Sequence, residues 1–212
     1  MSAGPVLEPG EEEVSDRILT APNLITLVRL ACLPLFLYLL FTRDNPAGAA
    51  LLLAALGATD WVDGYVARRF HQVSTVGKVL DPVADRLLFF VGVGAIVIDG
   101  RAPAWFSVLV LARELFVSVA VLVLAALGAK RIDVTWFGKA GTFCLMFAFP
   151  LFLAGSDPNL GVADLATYAA WGFGVPGLVL SYYAAVLYVP LGLKALRDGR
   201  AARRAGLVEE AS

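Results

Sequence analysis

The sequence predicts an all-α integral membrane protein: six transmembrane helices preceded by a short N-terminal juxtamembrane segment. Three observations carry this reading. Hydrophobic residues make up 59% of the chain and charged residues only 17%, below the roughly 25% charged of an average soluble domain. The apolar residues gather in runs of about 18 or more, long enough at 1.5 Å per residue to cross a hydrocarbon core of about 30 Å. Lysine and arginine concentrate in alternate loops, as the positive-inside rule requires of a correctly counted set of crossings.

Residues 1–21 read as an acidic cytoplasmic tail and juxtamembrane segment. Glu8, Glu11, Glu12, Glu13 and Asp16 suit a solvated tail and not the basic start of a signal peptide, so the first membrane helix is expected to be retained. Val14, Ile18 and Leu19 give this segment a short apolar face for the membrane surface. Pro22 and Asn23 then open the first span, with Asn23 as the expected N-cap. The spans are predicted at about 24–41, 47–69, 76–98, 103–127, 136–155 and 163–193, within one domain of residues 22–193, followed by a basic cytoplasmic tail of residues 194–212.

Placing the N-terminus inside leaves Arg43 and Arg101 as the outer-loop cations, while Arg29 and Arg113 fall within spans. The remainder lie on inner segments: Arg17; Arg68, Arg69, Lys78 and Arg86; Lys130, Arg131 and Lys139; and Lys194 with the arginines after it. Both termini are therefore expected in the cytoplasm, and the tail from Lys194 serves as a topology signal able to touch anionic lipid. A formal net charge of −1 gives no global excess that would point to nucleic acid. Cys32 and Cys144 sit inside apolar runs with no metal-ligand spacing, and read as small buried hydrophobes. His71, the only histidine, reads as a solvated residue of the link between spans two and three.

Spans two and three hold Asp60, Asp63, Asp81 and Asp85. On insertion scales an aspartate at a helix centre costs roughly 2.5–3.5 kcal/mol, so four of them call for cations or strong pairing. Asp60, Asp63 and Ala67 stand at i, i+3 and i+7 of one helix; Gly77, Asp81 and Asp85 stand at i, i+4 and i+8 of the next. Counted from Ala47, Asp60 lies about 20 Å down span two, whereas Asp81 and Asp85 lie about 7 and 13 Å in from Val76. In a core of about 30 Å these depths coincide towards the cytoplasmic side. All-oxygen ligands without His or Cys select hard cations, Mg²⁺, Mn²⁺ or Ca²⁺, and four carboxylates balance two dications. Arg68 adds a cation for an anionic diphosphate, while Gly64, Ala67 and Gly77 leave room for a nucleotide or for close helix packing.

The stretch from Asp60 to Asp85 resembles the signature of the CDP-alcohol phosphotransferase (CDP-alcohol phosphatidyltransferase) family: DxxDGxxAR, eight residues, then GxxxDxxxD. Asp60, Asp63, Gly64, Ala67, Arg68, Gly77, Asp81 and Asp85 match it at every specified position. The resemblance implies a homodimeric six-helix membrane enzyme that moves a phosphoalcohol group from a CDP-linked donor to a hydroxyl and releases CMP. It implies metal ligation by Asp60, Asp63, Asp81 and Asp85, contact with the CDP moiety by Gly64, Ala67, Arg68 and Gly77, and a general-base role for Asp85.

Looser features are similar to the phosphatidylglycerophosphate synthase and cardiolipin synthase branches. These are Pro22 to Thr26 with Arg29, the run Leu80 to Arg86, Arg113-Glu114, and Gly138-Lys139. Both branches imply CDP-diacylglycerol as donor, with glycerol 3-phosphate or phosphatidylglycerol as acceptor, at the cytoplasmic face of the inner or plasma membrane. Arg113 with Lys139 can bind an acceptor phosphate, which leans towards glycerol 3-phosphate; equally, Arg113 can pair structurally with a motif carboxylate or another helix. Glu114 is not its expected partner, because adjacent helix positions do not face each other. Pro82 is expected to bend or loosen span three. Intramembrane carboxylates also mark ion paths, so a cation transporter is the rival reading; the one-sided cluster, without a counterpart in spans four to six, speaks against it.

Overall fold

The computed structural model describes residues 21–70, 77–129 and 134–209, and every regular element among them is helical. In chain order these are α1 (Ala21–Leu37) running into a π-helical turn (Tyr38–Thr42), α2 (Pro46–Phe70), α3 (Gly77–Asp99), α4 (Ala104–Ala126), α5 (Trp136–Gly155) and α6 (Ala163–Glu209). Each predicted span thus has its helix. The chain divides into two compact units, Met1–Gly92 and Val93–Ser212, with α3 running from the first into the second.

In the first unit α1 begins at Ala21, so Pro22 and Asn23 lie in its first turn and the N-cap expected at Asn23 is not where the helix starts. Proline is tolerated at that point because the first-turn N–H groups have no partner within the helix. The end of α1 passes into π geometry, where the Arg43 N–H donates to the Tyr38 carbonyl at 3.0 Å. Asp44 then takes a left-handed conformation (φ 45°), and Asn45 caps α2 by accepting from the Gly48 N–H at 2.8 Å. Pro46 follows at the first helical position, which its fixed φ suits. Phe36, Leu40, Ala49 and Ala50, all buried, flank this reversal. The helix α3 is unbroken through Pro82.

The second unit is built around α5 and α6. Thr135 caps α5, accepting from the Gly138 N–H at 3.3 Å while its own N–H donates to the Tyr188 hydroxyl at 3.2 Å. Gly141 lets the two backbones touch: a Cβ there would stand 2.9 Å from the Ser181 nitrogen and 3.2 Å from the Gly177 oxygen. Further along, Phe106 of α4 is fully buried among Phe149, Phe152 and Trp171, with ring centroids 5.5–5.9 Å away. The Tyr182 hydroxyl ties α6 to α4 through the Leu109 carbonyl at 3.0 Å.

Helix α6 is longer than the span predicted for it. It continues through the basic segment to Glu209, 47 residues in all, or about 70 Å at the helical rise. Gly199 lets this extension lie directly on the backbone of Gly128 and Ala129, just past the end of α4.

Among the described residues, four helical stretches are long and apolar enough to cross a membrane: Leu24–Thr42, Ala104–Ala126, Trp136–Gly155 and Ala163–Ala201, with Pro46–Thr59 a shorter apolar helix. Large apolar side chains such as Leu51, Ile98, Tyr168 and Val186 point outward. That surface suits lipid as solvent far better than water.

Candidate active site

The predicted motif lies on two continuous helices of the first unit. Residues 60–70 complete α2 and residues 77–85 open α3. Helical geometry therefore sets Asp60, Asp63 and Ala67 along one stripe of α2, and Gly77, Asp81 and Asp85 along one stripe of α3. The side chains of residues 60–82, and with them the contacts expected of Asp60, Asp63, Gly64, Ala67, Arg68, Gly77 and Asp81, lie outside the described residues. His71 and the link around it lie outside them too.

Asp85 is described in full. Its carboxylate is about half-exposed, at 47%, and its Oδ1 forms an ion pair with a guanidinium nitrogen of Arg29 at 3.1 Å. Arg29 itself is buried, its side chain only 10% exposed. One turn earlier on α1, Thr26 is buried as well. Thus α1 brings a fixed positive charge to the last carboxylate of the motif. Sequence reasoning singled out Arg29 only as part of a loose resemblance. The signal that could have found this pairing was present: a cation inside a membrane helix needs a partner, and an excess of carboxylates stands two helices away.

The proposed acceptor residues lie in the second unit. Arg113 is buried, with its Nε donating to the Ser181 carbonyl of α6 at 3.1 Å and a terminal nitrogen on the Glu114 carboxylate at 2.8 Å. The expectation that Glu114 cannot serve Arg113 is therefore corrected. Adjacent helix positions diverge by about 100° at the backbone, but a long guanidinium side chain and a glutamate can both bend across that angle. Lys139 is exposed in the first turn of α5. The glycine before it packs against Ala184 and Tyr188, about one and two turns along α6 from the carbonyl that Arg113 holds.

The second unit also has an open cleft of about 450 Å³ between residues 100–104 and the facing ends of α5 and α6. Its one charged lining residue, Arg101, is paired with Asp99 and reaches the Ser156 hydroxyl at 3.4 Å. It contains no residue of the acidic motif, and its cation is already neutralised. Cys32 and Cys144 are free thiols of intermediate burial, less enclosed than the buried hydrophobes expected of them.

Donor chemistry and backbone agree on what the first unit can hold. Asp60 and Asp63 lie on α2 and Asp81 and Asp85 on α3, residue types that suit hard dications, and the one motif carboxylate described in full is about half-exposed.

Comparison with known proteins bears on the same residues. The model of the CDP-alcohol phosphatidyltransferase family matches residues 19–176, which include the whole motif. The chain is 42% identical over 192 residues to the CMP-forming cardiolipin synthase of Streptomyces coelicolor, a match covering 88% of this chain and 89% of that protein. It is 34% identical over 173 residues to the CDP-diacylglycerol–glycerol-3-phosphate 3-phosphatidyltransferase of Bacillus subtilis, covering 73% and 89%. The Escherichia coli protein of the same name is 33% identical over 187 residues, covering 85% and 94%. With its motif, its helices and its relatives in agreement, the chain belongs to the CDP-alcohol phosphatidyltransferase family, enzymes of membrane phospholipid synthesis.

Proposed function

We propose that the enzyme transfers a phosphatidyl group from CDP-diacylglycerol to a hydroxyl of phosphatidylglycerol, forming cardiolipin and releasing CMP. The observation that carries this choice of acceptor is the 42% identity to a CMP-forming cardiolipin synthase over 88% of the chain, against 34% and 33% for the glycerol 3-phosphate enzymes. The lean towards glycerol 3-phosphate rested on Arg113-Glu114, Lys139 and the opening of the first span. The Arg113 guanidinium is engaged with the Ser181 carbonyl and Glu114, which weakens one part of that motive. Glycerol 3-phosphate stands as the second reading, favoured by the two relatives that carry its name.

In this reading the acceptor hydroxyl oxygen attacks the phosphorus that bears the diacylglycerol. The new P–O bond forms as the diphosphate P–O bond breaks, CMP leaves with the bridging oxygen, and the hydroxyl proton passes to the Asp85 carboxylate. Arg68 lies on the same helix as Asp60 and Asp63 and supplies a permanent cation to the diphosphate. Gly64, Ala67 and Gly77 keep the nucleotide path free of bulky side chains. Asp60, Asp63, Asp81 and Asp85 would hold two Mg²⁺ or Mn²⁺ ions, whose chemistry is to polarise the diphosphate and offset its charge.

The same reading takes all six helices across the membrane and both termini into the cytoplasm. The reaction then sits near the cytoplasmic face, in a homodimer whose contacts use part of the outward apolar surface. The carboxylates belong to catalysis and not to cation transport. Purified protein given CDP-diacylglycerol, a dication and either phosphatidylglycerol or glycerol 3-phosphate tests the proposal. CMP and cardiolipin are expected with phosphatidylglycerol; phosphatidylglycerophosphate formed from glycerol 3-phosphate alone would establish the second reading.

A further inference from the structure

We propose that Arg29 is a positioning residue for the transfer reaction, holding the Asp85 carboxylate in the orientation from which it takes the acceptor's proton. This rests on the transferase reading and on the base role of Asp85, and adds to them a residue outside the acidic motif. Geometry supplies the first argument: a guanidinium nitrogen stands 3.1 Å from Asp85 Oδ1, an ion pair that brings a permanent charge from α1 against one carboxylate oxygen.

Burial supplies the second argument. Arg29 is 10% exposed and Asp85 47%. Exposed ion pairs contribute little to stability, and desolvation offsets the gain of fully buried ones, so gluing α1 to α3 is a weak account of this bond. Here the cation is sunk in the protein and the carboxylate faces outward, the arrangement of a support and a working group. Two further ion pairs, Arg101 with Asp99 and Arg113 with Glu114, join close neighbours in sequence. Arg29 with Asp85 joins two helices, and does so at the residue to which the proton transfer is assigned.

Arginine is suited to this task. It keeps its charge throughout the reaction cycle and cannot itself take the acceptor's proton. Its guanidinium is also less strongly hydrated than the ammonium of lysine, which suits a cation buried in the protein. The reacting proton then meets a carboxylate whose rotamer is set before the acceptor arrives.

A double-mutant cycle on the full-length protein tests the assignment, using Arg29→Ala, Arg29→Lys, Asp85→Asn and the combinations. Turnover, melting temperature and affinity for a nonreacting CDP-diacylglycerol analogue are read for each. Arg29→Ala should lower kcat by about tenfold to a hundredfold while leaving analogue affinity within about threefold, and Arg29→Lys should recover part of the loss. In the Asp85→Asn background the same Arg29 changes should cost less than about threefold more, because the group they position has lost its function. Should Arg29→Ala unfold the protein, Arg29→Lys carries the cycle: a kcat loss that vanishes beside Asp85→Asn is expected. Equal losses in both backgrounds, or unchanged kcat in the folded variants, would overturn the proposal while leaving the transferase reading intact. Absence of CMP release from the wild-type protein with either acceptor would refute that reading, and this inference with it.

Discussion

Replacing Arg113 by alanine separates a structural cation from a substrate-binding one. The wild-type side chain donates to the Ser181 carbonyl at 3.1 Å and to Glu114 at 2.8 Å. A hydrogen bond to a charged group contributes about 1.5–3 kcal/mol. The pair with Glu114 is discounted because the glutamate is 29% exposed, which leaves it about 0–1 kcal/mol. Together these predict a loss of about 2–4 kcal/mol, or roughly 4–16 °C in melting temperature for a chain of this length. Because the guanidinium is occupied by α6 and by its own helix, the apparent KM for the acceptor should stay within about twofold in variants that remain folded. Thermal unfolding in detergent, paired with acceptor titrations of CMP release, measures both quantities. An acceptor KM raised tenfold or more with no change in melting temperature would refute the reasoning and return Arg113 to the acceptor's phosphate.

Asp63→Ala and Asp81→Ala should each abolish CMP release while leaving the protein inserted, since loss of one carboxylate disrupts dication binding without removing an apolar span; near-normal turnover and metal affinity in a folded variant would contradict the shared site. Gly141→Ala puts a methyl group 2.9 Å from the Ser181 nitrogen, so α5 and α6 must separate, at a cost of about 1–3 kcal/mol; a melting temperature equal to wild type would show that the contact is softer than the structure has it. A reporter fused after Lys194 should score as cytoplasmic, and an outside location would overturn the six-crossing topology.

Helix positions were legible because hydropathy is additive along a chain and needs no knowledge of neighbours. The fifth span, 136–155, coincides with α5, whose N-terminus is set locally by Thr135 accepting from Gly138. Helix α6 escaped the same reasoning for a physical reason. Hydropathy marks where a helix leaves the apolar core, not where it stops being helical, and the alanines and arginines after Lys194 are good helix formers. What keeps that segment against the rest of its unit is the contact of Gly199 with the Gly128–Ala129 backbone, and no pattern within the segment itself reports a contact 71 residues away.

The site divides along the same line. The four aspartates could be read from spacing because α2 and α3 each carry two of them at intervals that a helix converts into a stripe, and the resemblance to the family signature completed the set of eight. Arg29 could not be read in that way, since the 55 residues between it and Asp85 carry no periodic signal that would link them. The charges of Arg29 and Arg113 looked equivalent in sequence, each a lone cation in an apolar helix. Their surroundings separate them. Arg113 is spent on a backbone carbonyl and an adjacent glutamate, whereas Arg29 meets a half-exposed carboxylate of the motif. An intramembrane cation therefore announces that a partner exists, and only the fold shows whether that partner is scaffold or chemistry.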